Sequence, residues 1–535
     1  MTPRVLVSDA LSETAVQIFR DRGVEVDYQP ELGKDPARLA EIIGEYDGLA
    51  IRSATRVTPE LLERAARLKV IGRAGIGVDN VDIAAASRRG IIVMNTPFGN
   101  SVTTAEHAIA LMFAVARQLP EASASTHAGR WEKNRFMGVE LTAKTLGLIG
   151  AGNIGSIVAD RARGLHMKVI AYDPFLSEER ALELGVRKVE LDELLARADF
   201  ITLHVPLTDK TRNLLSRENL QRTKPGVRII NAARGGLIDE DALAELIGSG
   251  HIAGAALDVF AQEPATESPL FGLPGVVVTP HLGAATTEAQ ENVALQVAEQ
   301  MSDYLLSGAV HNALNMPSVT AEEAARMGPW IHLARHLGAF VGQMVAEPMS
   351  ALHITYDGVA AGMNTGALNA ALISGLMKPS NPDANMVSAP LMAREKGIQV
   401  ATTTQDQAGA QQAGSLGGFI RLDVTTESGE RSVAGTVFSD GKPRFIQIRG
   451  INLDAEVGQH MLYTRNRDVP GVIGSLGTSL GDLGVNIANF TLGRSAQGDD
   501  AIAIIYLDAP LPEAAAQALR ESGKFLQVRP LTFEV

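Results

Sequence analysis

The chain has 535 residues, 45% of them hydrophobic and 20% charged, no cysteine, and a formal net charge of −13. That length exceeds what one core sustains, so three or four domains are expected. The acidic balance excludes a general nucleic-acid binder, and the missing thiols exclude cysteine nucleophiles, disulfides and thiolate metal sites. The start, Met1-Thr-Pro-Arg-Val-Leu-Val, is strand-like and carries no signal-peptide apolar region, and no long apolar span follows. A soluble, cytoplasmic protein with no membrane partner is the expectation.

Residues 1–99 alternate short apolar runs with helical stretches. Val5–Val7, Gly48–Arg52, Leu68–Gly72 and Ile91–Met94 read as strands, and Glu13–Arg22 and Pro59–Ala66 as helices. Such alternation predicts a parallel sheet with helices on both faces. Ligands of such sheets collect beyond the carboxyl ends of strands. The loops there hold Arg52 with Ser53, and Arg73 with Gly75. The two arginines are candidate anion ligands, and solvated surface arginines are the competing reading.

Asn100 to Gln118 reads as a long helix that Ser101 or Thr103 could cap. His107 within it reads as a structural histidine. The basic loop Gly129–Arg135 surrounds Trp131, a pairing of residue types found at interfaces, with a local cation–π contact as the alternative.

An apolar run, Thr145–Ile149, then ends in Gly150-Ala-Gly152-Asn-Ile-Gly155, followed by a helical stretch from Ile154 to Leu165. In this spacing Gly150 permits a tight turn, Gly152 lets a pyrophosphate reach the backbone, and Gly155 lets the helix pack closely. The helix N-terminus then faces the phosphates. The next strand, Lys168–Asp173, ends in an acid about 20 residues on, where a carboxylate accepts hydrogen bonds from ribose hydroxyls. Asp173 would repel a 2′-phosphate, so the expected cofactor is NAD rather than NADP.

Four more apolar runs close in polar residues: Asp199–His204 before Val205, Gly226–Asn231 before Ala232-Ala-Arg234, Ala253–Asp258 before Glu263-Pro264, and Val276–Pro280 before His281-Leu-Gly-Ala284. Hydride transfer needs a proton-handling group and a cation that fixes the substrate. His281 is the candidate acid/base, with Glu263 on its other ring nitrogen. Arg234 offers a two-pronged grip on a carboxylate, and Asp258 could accept from the nicotinamide carboxamide. The helical run Glu288–Leu306 returns to the first domain, which makes that domain discontinuous.

Asn231–Asp239, Gly254–Phe260 with Glu263-Pro264, and Thr279–Ala284 resemble the signature blocks of the D-2-hydroxyacid dehydrogenase family. Gly72–Asn80, Met94–Pro97 and Asn315–Pro317 resemble, more narrowly, its members that act on D-3-phosphoglycerate. The resemblance implies an α/β fold with two Rossmann-type doubly wound parallel sheets, one domain inserted in the other. It implies Arg234, Glu263 and His281 as catalytic residues. Asn153, Ile154, Asp173, Val205, Ala232, Ala233, Arg234 and Asp258 would line the NAD site, with His281, Leu282, Gly283 and Ala284. Arg52, Ser53, Arg73, Gly75, Arg234 and His281 would hold the substrate. Ile76 stands where some relatives carry a hydroxyl residue, so any cofactor contact there is through backbone. The Trp131 loop would reach a neighbouring subunit. No metal is expected.

Beyond residue 317, Trp330–Gln343 and Gly366–Leu376 read as helices, and Val424–Phe438 and Arg444–Ile451 as strands. Gln405–Gly418 reads as a mobile loop. Asn385–Gly397 resembles the intervening domain of long family members. Lys442, Arg444 and Arg449 form an anion site or a solvated strand face. From about 458 a βαββαβ pattern resembles an ACT regulatory domain, with Asn466, Asp468 and Asn486 as serine ligands by family position. Asn466 stands where relatives often have His or Tyr.

The expected organisation is therefore a substrate-binding domain (1–99 with 286–316), an NAD-binding domain (100–285), an α+β intervening domain (317–455) and an ACT domain (456–535). The expected reaction is NAD-dependent oxidation of D-3-phosphoglycerate to 3-phosphohydroxypyruvate, under feedback by L-serine, in a homo-oligomer, dimer or tetramer. The alternatives are a glyoxylate or hydroxypyruvate reductase and a non-catalytic NAD-sensing scaffold.

Overall fold

Two parallel sheets frame the cleft that matters for function. The computed structural model describes residues 2–405, 417–496 and 498–534. The first sheet holds β1 (Arg4–Val7), β2 (Glu25–Tyr28), β3 (Gly48–Ile51), β4 (Val70–Arg73) and β5 (Ile92–Met94), in the order β2-β1-β3-β4-β5. The second holds β6 (Thr145–Ile149), β7 (Lys168–Tyr172), β8 (Arg187–Lys188), β9 (Phe200–Leu203), β10 (Val227–Asn231), β11 (Ile252–Leu257) and β12 (Val276–Val278). Its order is β12-β11-β10-β9-β6-β7-β8. Helices cover both faces of each sheet. That explains why the central strands read as unbroken apolar runs, with Val5, Leu6 and Val7 all fully buried.

The chain crosses between these sheets twice. Helix Ser101–Arg117 packs on the second sheet, where Ala105, Ala108 and Met112 join Leu146, Leu148 and Val158 in one core. Helix Thr287–Ser307 returns to the first, where Ala294, Val297 and Met301 meet Val7, Ala50 and Val70. The crossings lie side by side, with the Thr103 and Thr286 hydroxyls 3.4 Å apart. A Cβ on Gly99 would stand 2.6 Å from Val293. Helix Ser101–Arg117 is not capped by Ser101 or Thr103. Asn100 is its N-cap and makes no side-chain cap bond, while the Ser101 hydroxyl donates to Pro97 O instead.

The third sheet comprises β13 (Met349–Gly358), β14 (Gln399–Gln405), β15 (Gly418–Thr426), β16 (Gly429–Val437), β17 (Pro443–Ile448) and β18 (Ile451–Glu456), in the order β14-β13-β15-β16-β17-β18. The run Val424–Phe438, read as strand, is the end of one strand and all of the next, turned at Glu427-Ser428. Most of the loop expected at Gln405–Gly418 lies outside the described residues. Helix Ala321–Met344 starts earlier than its apolar pattern, because Thr320 and Glu323 form a reciprocal capping box.

The last unit follows the βαββαβ order: β19 (His460–Arg467), helix Val472–Asp482, β20 (Ile487–Arg494), β21 (Asp500–Leu507), helix Glu513–Glu521 and β22 (Gln527–Thr532). Its antiparallel sheet has the order β20-β21-β19-β22. Alternation along the strands splits it cleanly. Leu462 and Ile505 face its own helices, whereas Tyr463 and Ile504 join the core of the preceding unit. Phe340 stacks near Tyr463 and Phe445 across that seam. Among the described residues no helix is long and apolar enough to cross a membrane.

Candidate active site

The glycine turn after β6 has the geometry that a dinucleotide turn requires. A Cβ on Gly155 would sit 2.0 Å from Gly150 O, so only glycine allows helix Asn153–Gly164 to begin there. Gly152 is the N-cap, offers no side-chain cap, and looks onto open space. The first-turn N–H groups are thus left for an external acceptor, which fits a pyrophosphate. Asp173, just after β7, accepts from Ala151 N at 2.9 Å and Phe175 N at 2.8 Å, so its carboxylate is fixed beside the glycine loop.

Two cavities flank the catalytic candidates. One, of about 550 Å³, is bounded by Asn153, Ile154, Val205, Ala232, Ala233 and Gly283. The other, of about 600 Å³, is bounded by Arg52, Ser53, Arg56, Gly75 and Glu263. They share a wall made of Arg73, Asn100, His281 and Ala284. A dinucleotide on one side and a small acid on the other would meet at that wall.

His281 follows β12, with a left-handed φ of 56°, a conformation that costs a non-glycine residue roughly 1–2 kcal/mol. Its N–H donates to Asp258 O at 2.9 Å, which fixes the turn. The ring Nδ1 and Glu263 Oε2 are 2.6 Å apart. Phe260 N donates to the other Glu263 oxygen at 3.0 Å. The hydrogen bond with Glu263 lifts the imidazole pKa above its ordinary value, against burial. Burial opposes the Glu263 charge, yet His281 and the Phe260 N–H hold that carboxyl below its usual range. With Nδ1 engaged, Nε2 is the nitrogen left for a substrate proton.

Arg234 ends the loop after β10. Its Nε donates to Asp79 Oδ2 at 3.2 Å and its Nη1 to Ala233 O at 2.7 Å. Arg73 is the most enclosed of the cleft cations. Burial first, then Arg234 and Arg52, pull its guanidinium down to about 10, still charged at neutral pH. Gly75, at φ 142°, leaves room for it: a Cβ there would fall 1.5 Å from Arg73 Nη1. Three guanidinium groups held close to one another, with only the exposed Asp79 paired to one of them, make a site that favours an anion.

Asp258 meets protein donors on both carboxylate oxygens. It is fully buried and accepts from Leu282 N (2.7 Å), Gly283 N (2.8 Å) and the Thr279 hydroxyl (2.6 Å), with His107 Nε2 at 3.2 Å. It bounds neither cavity; its oxygens brace the His281–Ala284 turn. Leu282 likewise contributes its N–H to Asp258 and bounds neither cavity. His107, read as merely structural, turns out to sit on this buried carboxylate.

Asp9, Asp79 and Arg56 carried no role in the sequence reading. Asp9 accepts from Arg52 N at 2.6 Å and Thr55 N at 3.1 Å and so shapes the arginine loop. The available signal was position alone, an acid two residues past β1. Ile76 bounds the cofactor-side cavity, and its carbonyl accepts from Asn95 Nδ2 at 2.7 Å.

The distal candidates fare differently. Lys442 pairs with Glu456, and Arg444 with Asp440 and Asp454, so these two are neutralised within the strand face, whereas Arg449 makes no ion pair among the described residues and has Arg465 and Arg431 near it. Asn466 and Asp468 bound a cavity of about 340 Å³ in the last unit. Asn486 lies outside it, donating to Asp508 Oδ2 at 2.6 Å. One chain therefore does not bring the three together. Trp131 is 86% exposed, and Arg135 stacks on Phe136 rather than on it.

Residues 109–283 match the D-isomer specific 2-hydroxyacid dehydrogenase NAD binding domain, which is the class that the doubly wound sheet and its cleft define. Residues 326–449 match the D-3-phosphoglycerate dehydrogenase intervening domain. The D-3-phosphoglycerate dehydrogenase of Synechocystis sp. is 43% identical over 95% of this chain and 91% of its own length. That of Bacillus subtilis is 39% identical over 98% of this chain and 99% of its own. A glyoxylate reductase structure from Paecilomyes thermophila is 31% identical, covering 58% of this chain and 98% of its own, with a TM-score of 0.55. The chain belongs to the D-3-phosphoglycerate dehydrogenase family.

Proposed function

We propose that the chain oxidises D-3-phosphoglycerate to 3-phosphohydroxypyruvate with NAD, the first step towards L-serine. The observation that carries this reading is the wall shared by the two cavities, with His281 and Arg73 on it. NAD supplies the hydride acceptor. His281 Nε2 takes the hydroxyl proton as the hydride leaves the same carbon, and Glu263 stabilises the imidazolium that forms. Arg234 grips the carboxylate, while Arg52 and Arg73, with Ser53 and Gly75 beside them, hold the substrate's remaining charge. Asp173 orients the ribose, and Asp258 keeps the His281 turn in place.

Adding 3-phosphoglycerate and NAD should raise absorbance at the NADH wavelength, and D-glycerate should do so far less efficiently. Equal kcat/KM for the two acids would sink the phosphate part of the reading and favour the glyoxylate or hydroxypyruvate alternative. The three cleft arginines favour the phosphorylated substrate. An intact Arg234–Glu263–His281 set disfavours a non-catalytic NAD-sensing scaffold.

The regulatory reading is that L-serine binds between the last units of two chains, Asn466 and Asp468 from one and Asn486 from the other. The separation of Asn486 from that cavity supports pairing, as do the exposed Val469 and Ile473 beside it. Calorimetry of the full chain with L-serine tests this, and no heat at millimolar ligand would remove it. A cytoplasmic homo-oligomer, dimer or tetramer, completes the proposal.

A further inference from the structure

A fourth cavity, of about 700 Å³, shares no residue with the two clefts or with the cavity of the last unit. It opens where three units meet. Ile92 and Tyr304 come from the first sheet and its returning helix, Arg335 and Ala339 from helix Ala321–Met344, and Phe533 and Glu534 from the chain's end. Its volume falls within the range of about 300–1,000 Å³ usual for small-molecule sites.

The chemistry of the wall is uneven. Arg335 makes no ion pair and no side-chain hydrogen bond among the described residues. Lys378 Nζ lies 3.6 Å from Glu534 Oε1, a loose pair. His336 Nε2 donates to Glu534 O at 3.0 Å, and burial lowers its pKa, so the ring is neutral. Among the described lining residues two cations face one carboxylate, which leaves one positive charge, on Arg335. The remaining surface is mostly apolar, from Ile92, Met316, Met386, Val387 and Phe533, although Gln343, Asn385 and Gln459 also line it. A partly enclosed guanidinium gains most from a charge-assisted pair with a monoanion. A phosphate dianion would overbalance the single charge, and an ammonium would be repelled.

We infer that this cavity binds a small carboxylic acid with an apolar body, its carboxylate on Arg335 and its chain against Met316, Met386 and Phe533. Because the walls come from three units, an occupant would tie them together at a point remote from the clefts.

The test is calorimetry of the full chain, saturated with NAD, using decanoate as the probe. One decanoate per chain should bind with a Kd below about 1 mM. Arg335→Gln should weaken it at least tenfold, and Ala339→Trp, which fills the space, should abolish it. Both variants should retain wild-type NAD-dependent turnover, which also shows that they fold. If either fails to fold, Lys378→Gln serves in its place and should weaken binding too. Decanol binding as tightly as decanoate would overturn the assignment of charge. Decanoate binding unchanged in the variants, or no binding at about 5 mM, would overturn the site.

Discussion

The cleft and the third sheet both concentrate arginine, and they use it in opposite ways. On the third sheet Arg444 reaches Asp440 and Asp454, and Lys442 reaches Glu456, so the charges cancel within the surface. In the cleft Arg52 and Arg73 have no acid partner among the described residues, and Arg73 is enclosed besides. Arg234 has one, Asp79, itself 73% exposed. A cation marks a binding site when the fold withholds its counter-ion, and marks a solvated face when the fold supplies one.

The comparison breaks most visibly at the proton-handling residue. His281→Ala should lower kcat by about 10²–10⁴-fold and leave the Kd for NAD, measured by fluorescence titration, nearly unchanged. Wild-type turnover in that variant would end the assignment. Next comes Arg73→Gln, which should raise KM for 3-phosphoglycerate roughly 100-fold, the equivalent of about 3 kcal/mol for a lost charge-assisted contact. Steady-state kinetics with D-glycerate should show a smaller change.

Glu263→Gln sharpens the electrostatic side. Alcohol oxidation needs neutral His281, and Glu263 raises the pKa of that ring. The wild-type rate should therefore rise with pH through a midpoint above the ordinary imidazole value. In the variant that midpoint should fall towards about 6.5, with kcat down about tenfold. A pH–rate profile that does not move would show that Glu263 only packs beneath the ring. The smallest effect belongs to the third sheet. Arg444→Gln should leave kcat and KM within about twofold and shift Tm by only a degree or two, because exposed ion pairs contribute little.

The division of the chain into strands and helices was legible where periodicity was strong. The glycine turn, Asp173 and the polar ends of β10, β11 and β12 could be read directly, because a doubly wound sheet gathers its ligands at strand ends. Short elements such as β2 and β14 escaped, since four to seven residues of mixed polarity carry little pattern. Pairing across distance escaped as well. Nothing local links His107 to Asp258, which lies 151 positions away, or Asp9 to the Arg52 loop. Asp258 was assigned to the ligand because a strand-end acid usually faces one. In the fold its Oδ1 meets Leu282 N and the Thr279 hydroxyl, and its Oδ2 meets Gly283 N. Lys442 and Arg444 stay open between an anion site and a solvated face for the complementary reason: their acids sit on the adjoining strand and turn, which composition cannot pair.

The twin crossings at Gly99–Ser101 and Thr286–Thr287 have a mechanical meaning. Two neighbouring threads joining two rigid bodies act as the leaves of a door hinge and leave one easy rotation, a swing about the line through them. The cavities on either side of His281 lie between the two bodies so joined. A bulkier residue at position 99 would press on Val293 of the returning helix and wedge the two threads apart.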